Sequence, residues 1–433
     1  MTRRSAYINA RLLDPATGLD VRGALLAVDG KIADFGPRLF ADGVLPAGIE
    51  TAVDCKGLCL APGLVDMRVQ IGEPGEEQKE TIVTASRAAA AGGVTSLVCL
   101  PCADPPIDDV SGVEFIARRA REARMVKIYA APAVTRGLEG KLLTEIGLLS
   151  EAGAVAFTDG TRAIADAAVM ARALAYARVF GKPIMQHPEE PSLAAGGQMN
   201  AGELSTRLGL AGIPAAAEAI MIERDLRLAE MTGGRLHVAH VSTAAGVDAI
   251  RQAKRRGVPV TCDTAPPYFA LTETDVGDYR TFAKLSPPLR GEMDRRAVAE
   301  GLADGTIDCV ASDHQPQDQD AKRVPFAQAA PGVVGLETLL PVTLELVHKG
   351  AMGLLQALAA MTCRPADILG LPQGRLAKGA PADLILFDPD VPWRIEEKAL
   401  RSKSKNTPFD KRPVQGRAVR TVVDGRTVFV HEG

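Results

Sequence analysis

Histidine is scarce in this sequence. Six stand among 433 residues: His187, His237, His240, His314, His348 and His431. So small a number makes an imidazole-rich two-metal site hard to assemble. The seven cysteines are scattered, with no Cys-x-x-Cys pair. That argues against a disulfide framework and a zinc knuckle and fits a reducing cytoplasm. No apolar run reaches the roughly 18 residues that a transmembrane helix needs. The opening Met1-Thr2-Arg3-Arg4-Ser5-Ala6 leads into mixed polar sequence rather than the apolar core of a secretory signal. A basic excess is missing too: a net charge of −3 offers no electrostatic footprint for nucleic acid or a membrane surface. No Gly-x-Gly-x-x-Gly follows an early strand, so a dinucleotide site has no support. What is present is ordinary globular composition, 46% hydrophobic and 24% charged, in a chain long enough for a large barrel plus a smaller domain.

The two ends of the chain resemble each other in pattern. Ala24 to Val28 leads through Asp29-Gly30 into Lys31 to Gly36, and Val419 to Val423 leads through Asp424-Gly425 into Arg426 to Phe429. Asp-Gly between apolar runs is a hairpin signal. Asp383 to Asp388 is a further strand. Two all-β ends around a different centre predict one small β-sandwich built from both termini, residues 1–60 and 366–433. The centre, residues 61–365, alternates short apolar runs with Ala-rich helical stretches such as Ala215 to Met231. The runs are Leu58 to Leu64, Thr95 to Leu100, Ala154 to Phe157, Pro183 to Met185, Leu236 to His240, Pro259 to Cys262 and Cys309 to Ser312. Such alternation predicts an α/β fold, a parallel (β/α)8 TIM barrel, with a doubly wound sheet as the alternative.

The segment Gly63-Leu64-Val65-Asp66-Met67-Arg68-Val69-Gln70 sits at the end of an apolar strand run and before the turn Gly72-Glu73-Pro74-Gly75. Residues 68 and 70 are two apart on a strand and so point the same way. Further motifs follow in order: Lys79-Glu80, Ala91-Gly92-Gly93-Val94-Thr95, Met199-Asn200-Ala201-Gly202-Glu203, His240-Val241-Ser242-Thr243, Pro287-Pro288-Leu289-Arg290, Asp304-Gly305-Thr306-Ile307-Asp308, Ser312-Asp313-His314 and Gly335-Leu336-Glu337-Thr338-Leu339-Leu340-Pro341. Nearly end to end, the chain resembles the dihydroorotase branch of the amidohydrolases, which includes hydantoinases and allantoinases. The bacterial-type dihydroorotases are the nearer match.

That resemblance implies a site at the C-terminal ends of the barrel strands. One or two zinc ions there would generate hydroxide and polarise an amide carbonyl while an Asp on the last strand moves protons. By position, His187 (in His-Pro-Glu-Glu), His240 and Asp313 match metal ligands, and Asp313 also matches the proton-transfer Asp. The remaining positions depart from the family. Its first strand ends Asp-x-His-x-His; Arg68 and Gln70 replace both His, a cation that cannot ligate metal and a weak amide. Gly160, in Thr158-Asp159-Gly160-Thr161, stands where an Asp bridges the metals, with Asp159 a neighbour. Gly72 replaces a substrate-binding Arg, Cys102 and Ser286 replace Asn, Gln317 replaces a His, and Pro266-Pro267-Tyr268 replaces Pro-His-His. Cys102 is read as a small buried apolar residue, with a thiolate ligand or nucleophile as the sharper alternative. His237 is read as structural, and Asp66 and Glu73 as holding backbone and loop.

Substitutions that strike ligand and substrate positions together, while scaffold motifs survive, imply a non-catalytic dihydroorotase homologue. It would hold no cofactor and assemble as a structural subunit with aspartate carbamoyltransferase in pyrimidine synthesis. A homo-oligomer in the cytoplasm, with neither nucleic acid nor membrane as partner, is the expected setting. The alternative is an active zinc-dependent dihydroorotase with a reduced site on His187, His240 and Asp313. A third reading is a cyclic-amide hydrolase with a new substrate, whose pocket is enlarged at Gly72 and Ser286 and whose Arg68 binds an anion.

Overall fold

The computed structural model describes residues 3–41 and 43–432. Met1 and Thr2 of the polar opening, Asp42 and the final Gly433 lie outside the described residues.

Eight short parallel strands form the centre: β1 (Leu64–Val69), β2 (Val94–Cys99), β3 (Lys127–Ala130), β4 (Phe157–Thr158), β5 (Ile184–Gln186), β6 (Leu236–Val238), β7 (Val260–Thr264) and β8 (Cys309–Val310). They pair in sequence as β1–β2–β3 and β4–β5–β6–β7–β8. The ring is closed where Val155 N donates to Ala130 O at 3.1 Å and where Val69 bridges His314. This is the parallel barrel that the βα alternation predicts. All six β1 residues are buried, as expected of strands covered on both faces.

Three local expectations are corrected. The run Leu58 to Leu64 is two strands. Cys59–Pro62 belongs to the terminal sheet and Leu64–Val69 to the barrel. The break falls at Gly63, where an added Cβ would lie 2.2 Å from the Thr95 side chain. The expected strand over Ala154 to Phe157 is shifted to Phe157–Thr158, and β3 was not foreseen at all, because Lys127-Ile128-Tyr129-Ala130 carries a charge and no long apolar run. The helix expected over Ala215 to Met231 is Ala216–Thr232, ended by Gly233 at φ 65.

Strands from both ends of the chain share one hydrogen-bonded sheet. Its centre is Cys59–Pro62. On one side it pairs with Arg4–Asp14, which leads to Leu19–Val28 and Lys31–Gly36. On the other it pairs antiparallel with Leu384–Arg394, which leads to Pro413–Val423 and Arg426–Val430. The two Asp-Gly hairpins meet: Ala382 N donates to Gly30 O at 2.8 Å and Gly425 N to Ala382 O at 2.9 Å. A segment between these strands reaches the barrel mouth. Ser402 Oγ and Lys403 N donate to the Glu80 carboxylate, and Ser404 Oγ donates to Lys79 O at 2.7 Å. Asn406 Nδ2 donates to Gln315 O and Gly332 O at 3.1 and 2.9 Å. Among the described residues no helix is long and apolar enough to cross a membrane.

Candidate functional site

The barrel strands bring the separated motif residues to one place. Arg68, on β1, is fully buried, and its Nε donates to Asp313 Oδ1 at 3.3 Å. Asp313, just beyond β8, accepts from His240 Nδ1 through its other oxygen at 3.0 Å. With that proton on Nδ1, His240 Nε2 is an acceptor, and His187 Nδ1 donates to it across 2.7 Å. His187 Nε2 faces Glu189 Oε2 at 3.4 Å, and Ser286 Oγ donates to that same oxygen at 3.0 Å. A continuous polar chain therefore runs from β1 to the loop before Pro287. Glu189 was not among the sequence candidates, although it stands in the quoted His-Pro-Glu-Glu. Its link to Ser286 spans 97 positions and has no signal in spacing. His240 and Asp313 both hold positive φ, 35° and 49°, a conformation uncommon outside Gly that Asn, Asp and His adopt more readily than other residues.

Charge follows from these contacts. Burial and the Arg68 guanidinium push His240 down to about 4, so it is neutral near pH 7. Burial pulls the Asp313 carboxyl upward, but His240 and Arg68 outweigh it and hold it well below the usual carboxylate range. Burial would weaken the Arg68 cation, while Asp313 and Asp263 keep it charged. Only one of its nitrogens is used: Nη1 and Nη2 are buried with no hydrogen-bond partner among the described residues. Asp66 supports the turn at the strand end, its Oδ1 accepting from Arg68 N and Ser312 N at 3.2 and 3.1 Å. Burial raises it to about 6.

The departures from the family pattern are packed rather than empty. A Cβ added at Gly160 would lie 2.1 Å from Cys102 Sγ, and Gly160 has φ +69. The cysteine sulfur thus fills the space from which a bridging carboxylate would start, and the two substitutions are sterically tied. Burial raises the Cys102 thiol, which disfavours a thiolate. Gly72 does not enlarge a pocket, contrary to the third reading: a Cβ there would meet Glu76 O at 2.2 Å, and Glu76 N already donates to Gly72 O at 2.6 Å. Gln70 N donates to His314 O at 2.8 Å. Gln317 is an anchor, with Nε2 donating to Pro331 O at 3.0 Å and its N donating to Asn406 Oδ1 at 3.1 Å. Asp159 accepts from Val134 N and Thr135 N, both at 2.9 Å. Glu73 accepts from Ile82 N at 2.9 Å and from Arg119 Nε at 2.5 Å. His237 bonds Thr261 Oγ1 and Asp263 at 2.8 and 3.0 Å. Pro266-Pro267-Tyr268 opens the short helix Pro266–Ala270, with Pro in the first turn where no N–H is missed. The Tyr268 ring stands edge-on to His240, centroids 6.4 Å apart.

As it stands, this donor set does not suit a divalent cation. Asp313 and His187 contact opposite nitrogens of the His240 ring, so one ion cannot take all three. A guanidinium lies against Asp313 where a cation would approach it. Among the described residues no group of three or more His, Cys, Asp or Glu is arranged to hold a metal.

Residues 57–245 match the family model described as Dihydro-orotase-like. A protein named Dihydroorotase from Wolbachia sp. subsp. Drosophila simulans (strain wRi) is 48% identical over 425 residues, 98% of this chain and 95% of that protein. The chain belongs to the dihydroorotase family. A second dihydroorotase relative, from Pelobacter propionicus, is 48% identical over 97% of this chain and 98% of its own length. The L-hydantoinase (dihydropyrimidinase) of Arthrobacter aurescens superposes with a TM-score of 0.89 at 27% identity, covering 100% of this chain and 98% of its own. Arg68, Gln70 and Gly160, the three positions where the resemblance implied replaced ligands, all lie within this dihydroorotase homologue's barrel region.

Proposed function

We propose that this chain is a non-catalytic dihydroorotase homologue of de novo pyrimidine synthesis that acts in the cytoplasm, as a homo-oligomer, as a structural subunit with aspartate carbamoyltransferase, without nucleic acid or membrane as partner. The observation that carries the reading is the buried Arg68 guanidinium on Asp313. In a metal-dependent hydrolase, bound metal lowers the pKa of water from about 15.7 to about 7. Here the carboxylate that would share the nucleophile's proton is held ionised by Arg68 and spent on His240. The chain keeps its scaffold motifs, so a binding surface is a sufficient reason for the fold to persist. The partner's identity rests on family resemblance.

A second reading, an active zinc-dependent dihydroorotase on a reduced site, has one observation in its favour: His187, His240 and Asp313 remain in contact. Purified protein assayed with dihydroorotate, with and without added zinc, separates the two. No turnover and no stoichiometric zinc is expected. Robust turnover abolished by Asp313→Asn would overturn the non-catalytic reading. Co-expression with aspartate carbamoyltransferase followed by size exclusion should give one complex. Separate elution at micromolar concentration, with the transferase equally assembled alone, would overturn the subunit role.

A further inference from the structure

Arg68 has an outer edge with nothing on it. A guanidinium presents five N–H donors in a fixed fork. Nε is taken by Asp313 at 3.3 Å, a single contact rather than a parallel pair. Nη1 and Nη2 are buried and without partners among the described residues, on a side chain with no solvent exposure. Buried charged donors are costly to leave unmade, because nothing replaces the water they lost. The two free nitrogens form the edge that binds a planar oxyanion through two parallel N–H bonds.

The polar groups around that edge are already paired with one another. Asp313 has both oxygens engaged, by Arg68 and His240, and His240 has both ring nitrogens engaged, by Asp313 and His187. Neither competes for the free edge. Cys102 lies within the electrostatic reach of Arg68, is only partly buried, and carries no charge to repel an anion. The space beside Gly160 is filled by the Cys102 sulfur, 2.1 Å from where a Cβ would stand.

We propose that the Arg68 Nη1–Nη2 edge is a binding site for a small free carboxylate at the barrel mouth, in the place this fold gives to metal chemistry. The inference rests on the reading that the native site holds no metal. Its ligand is a small monocarboxylate, taken by fork geometry rather than by charge alone.

The probes are formate and acetate, titrated by calorimetry and by thermal unfolding of the full chain, against chloride and fluoride at equal ionic strength. Saturable formate binding is expected, at least tenfold tighter than chloride, lost in Arg68→Met. Arg68→Lys keeps the charge but not the fork, and should weaken binding at least tenfold; it keeps the test open if Arg68→Met does not fold. Equal responses to formate and chloride, or a formate response unchanged in Arg68→Lys, would overturn the site. Turnover of dihydroorotate by the same preparation would overturn the non-catalytic reading without touching the anion result. An inactive protein blind to formate would overturn only the anion site.

Discussion

Glu218 and Arg68 are both charged, both without solvent exposure, and they are treated in opposite ways. Glu218, on the helix Ala216–Thr232, accepts from Ser242 N and Thr243 N at 3.0 and 2.9 Å and from both hydroxyls. Its carboxylate ties that helix to the turn after β6, and Thr243 in turn caps the helix Ala244–Arg255. Arg68 makes one long contact and leaves two nitrogens bare. A saturated buried charge is a joint of the scaffold. An unsaturated one is a site, because the cost of leaving donors unmade is tolerated only where something else is served.

The largest effect should come from breaking the joint. Glu218→Leu keeps the volume but strands two backbone N–H groups and two hydroxyls, and should cost about 3–5 kcal/mol in urea unfolding. A loss below about 1 kcal/mol would erase the contrast with Arg68.

Next comes a pH test of the site itself. His240 titrates near 4 in the fold and near 6.5 when unfolded, so the unfolded chain binds more protons between those values and stability rises with pH across that window. Asp66, raised to about 6, does the reverse: the folded chain holds the extra proton, and its stabilisation is lost as pH rises toward 6. Each term is worth roughly 3 kcal/mol, and they nearly cancel. Relative to the native chain, His240→Gln should therefore lose stability as pH rises from 4 to 6, and Asp66→Asn should gain it. Parallel profiles for both variants would contradict this.

Gly160→Ala meets both the Cys102 sulfur and a positive φ, and should cost about 2–3 kcal/mol. In a Cys102→Ala background the steric share disappears, leaving about 1–2 kcal/mol for the backbone alone. An unchanged penalty would untie the two substitutions.

Smallest of all, replacing the ion pair as a unit, Arg68→Met with Asp313→Asn, should shift stability by no more than about 1 kcal/mol, because the desolvation removed offsets the attraction lost. If the proposed partnership holds, the same double variant should elute with aspartate carbamoyltransferase to the same extent as the native chain.

The barrel was legible because its strands are apolar runs spaced by Ala-rich helices, and the paired Asp-Gly hairpins placed both termini together. The strand at Lys127–Ala130 was not, since a charged first residue hid its period. Of the site, Arg68, His187, His240 and Asp313 stood out through motif position. Their order in space did not: nothing in the sequence shows that His240 lies between Asp313 and His187. The pairing of Gly160 with Cys102 was equally invisible. Two unrelated departures 58 positions apart become one steric fact only when the strands close. Gly72 misled for the same reason, since a missing side chain suggests room and the Glu76 carbonyl already fills it.

The segment Ser402 to Asn406 clasps the barrel mouth, and Ser402 and Glu80 are 322 residues apart along the chain. The pairing of Cys59–Pro62 with Leu384–Phe387 already brings these two regions together, so the clasp closes a far shorter loop than the sequence separation suggests. Glu80 and Gln317 take their partners from the far end of the polypeptide. The shape of the mouth therefore depends on both ends of the chain and not on the barrel alone.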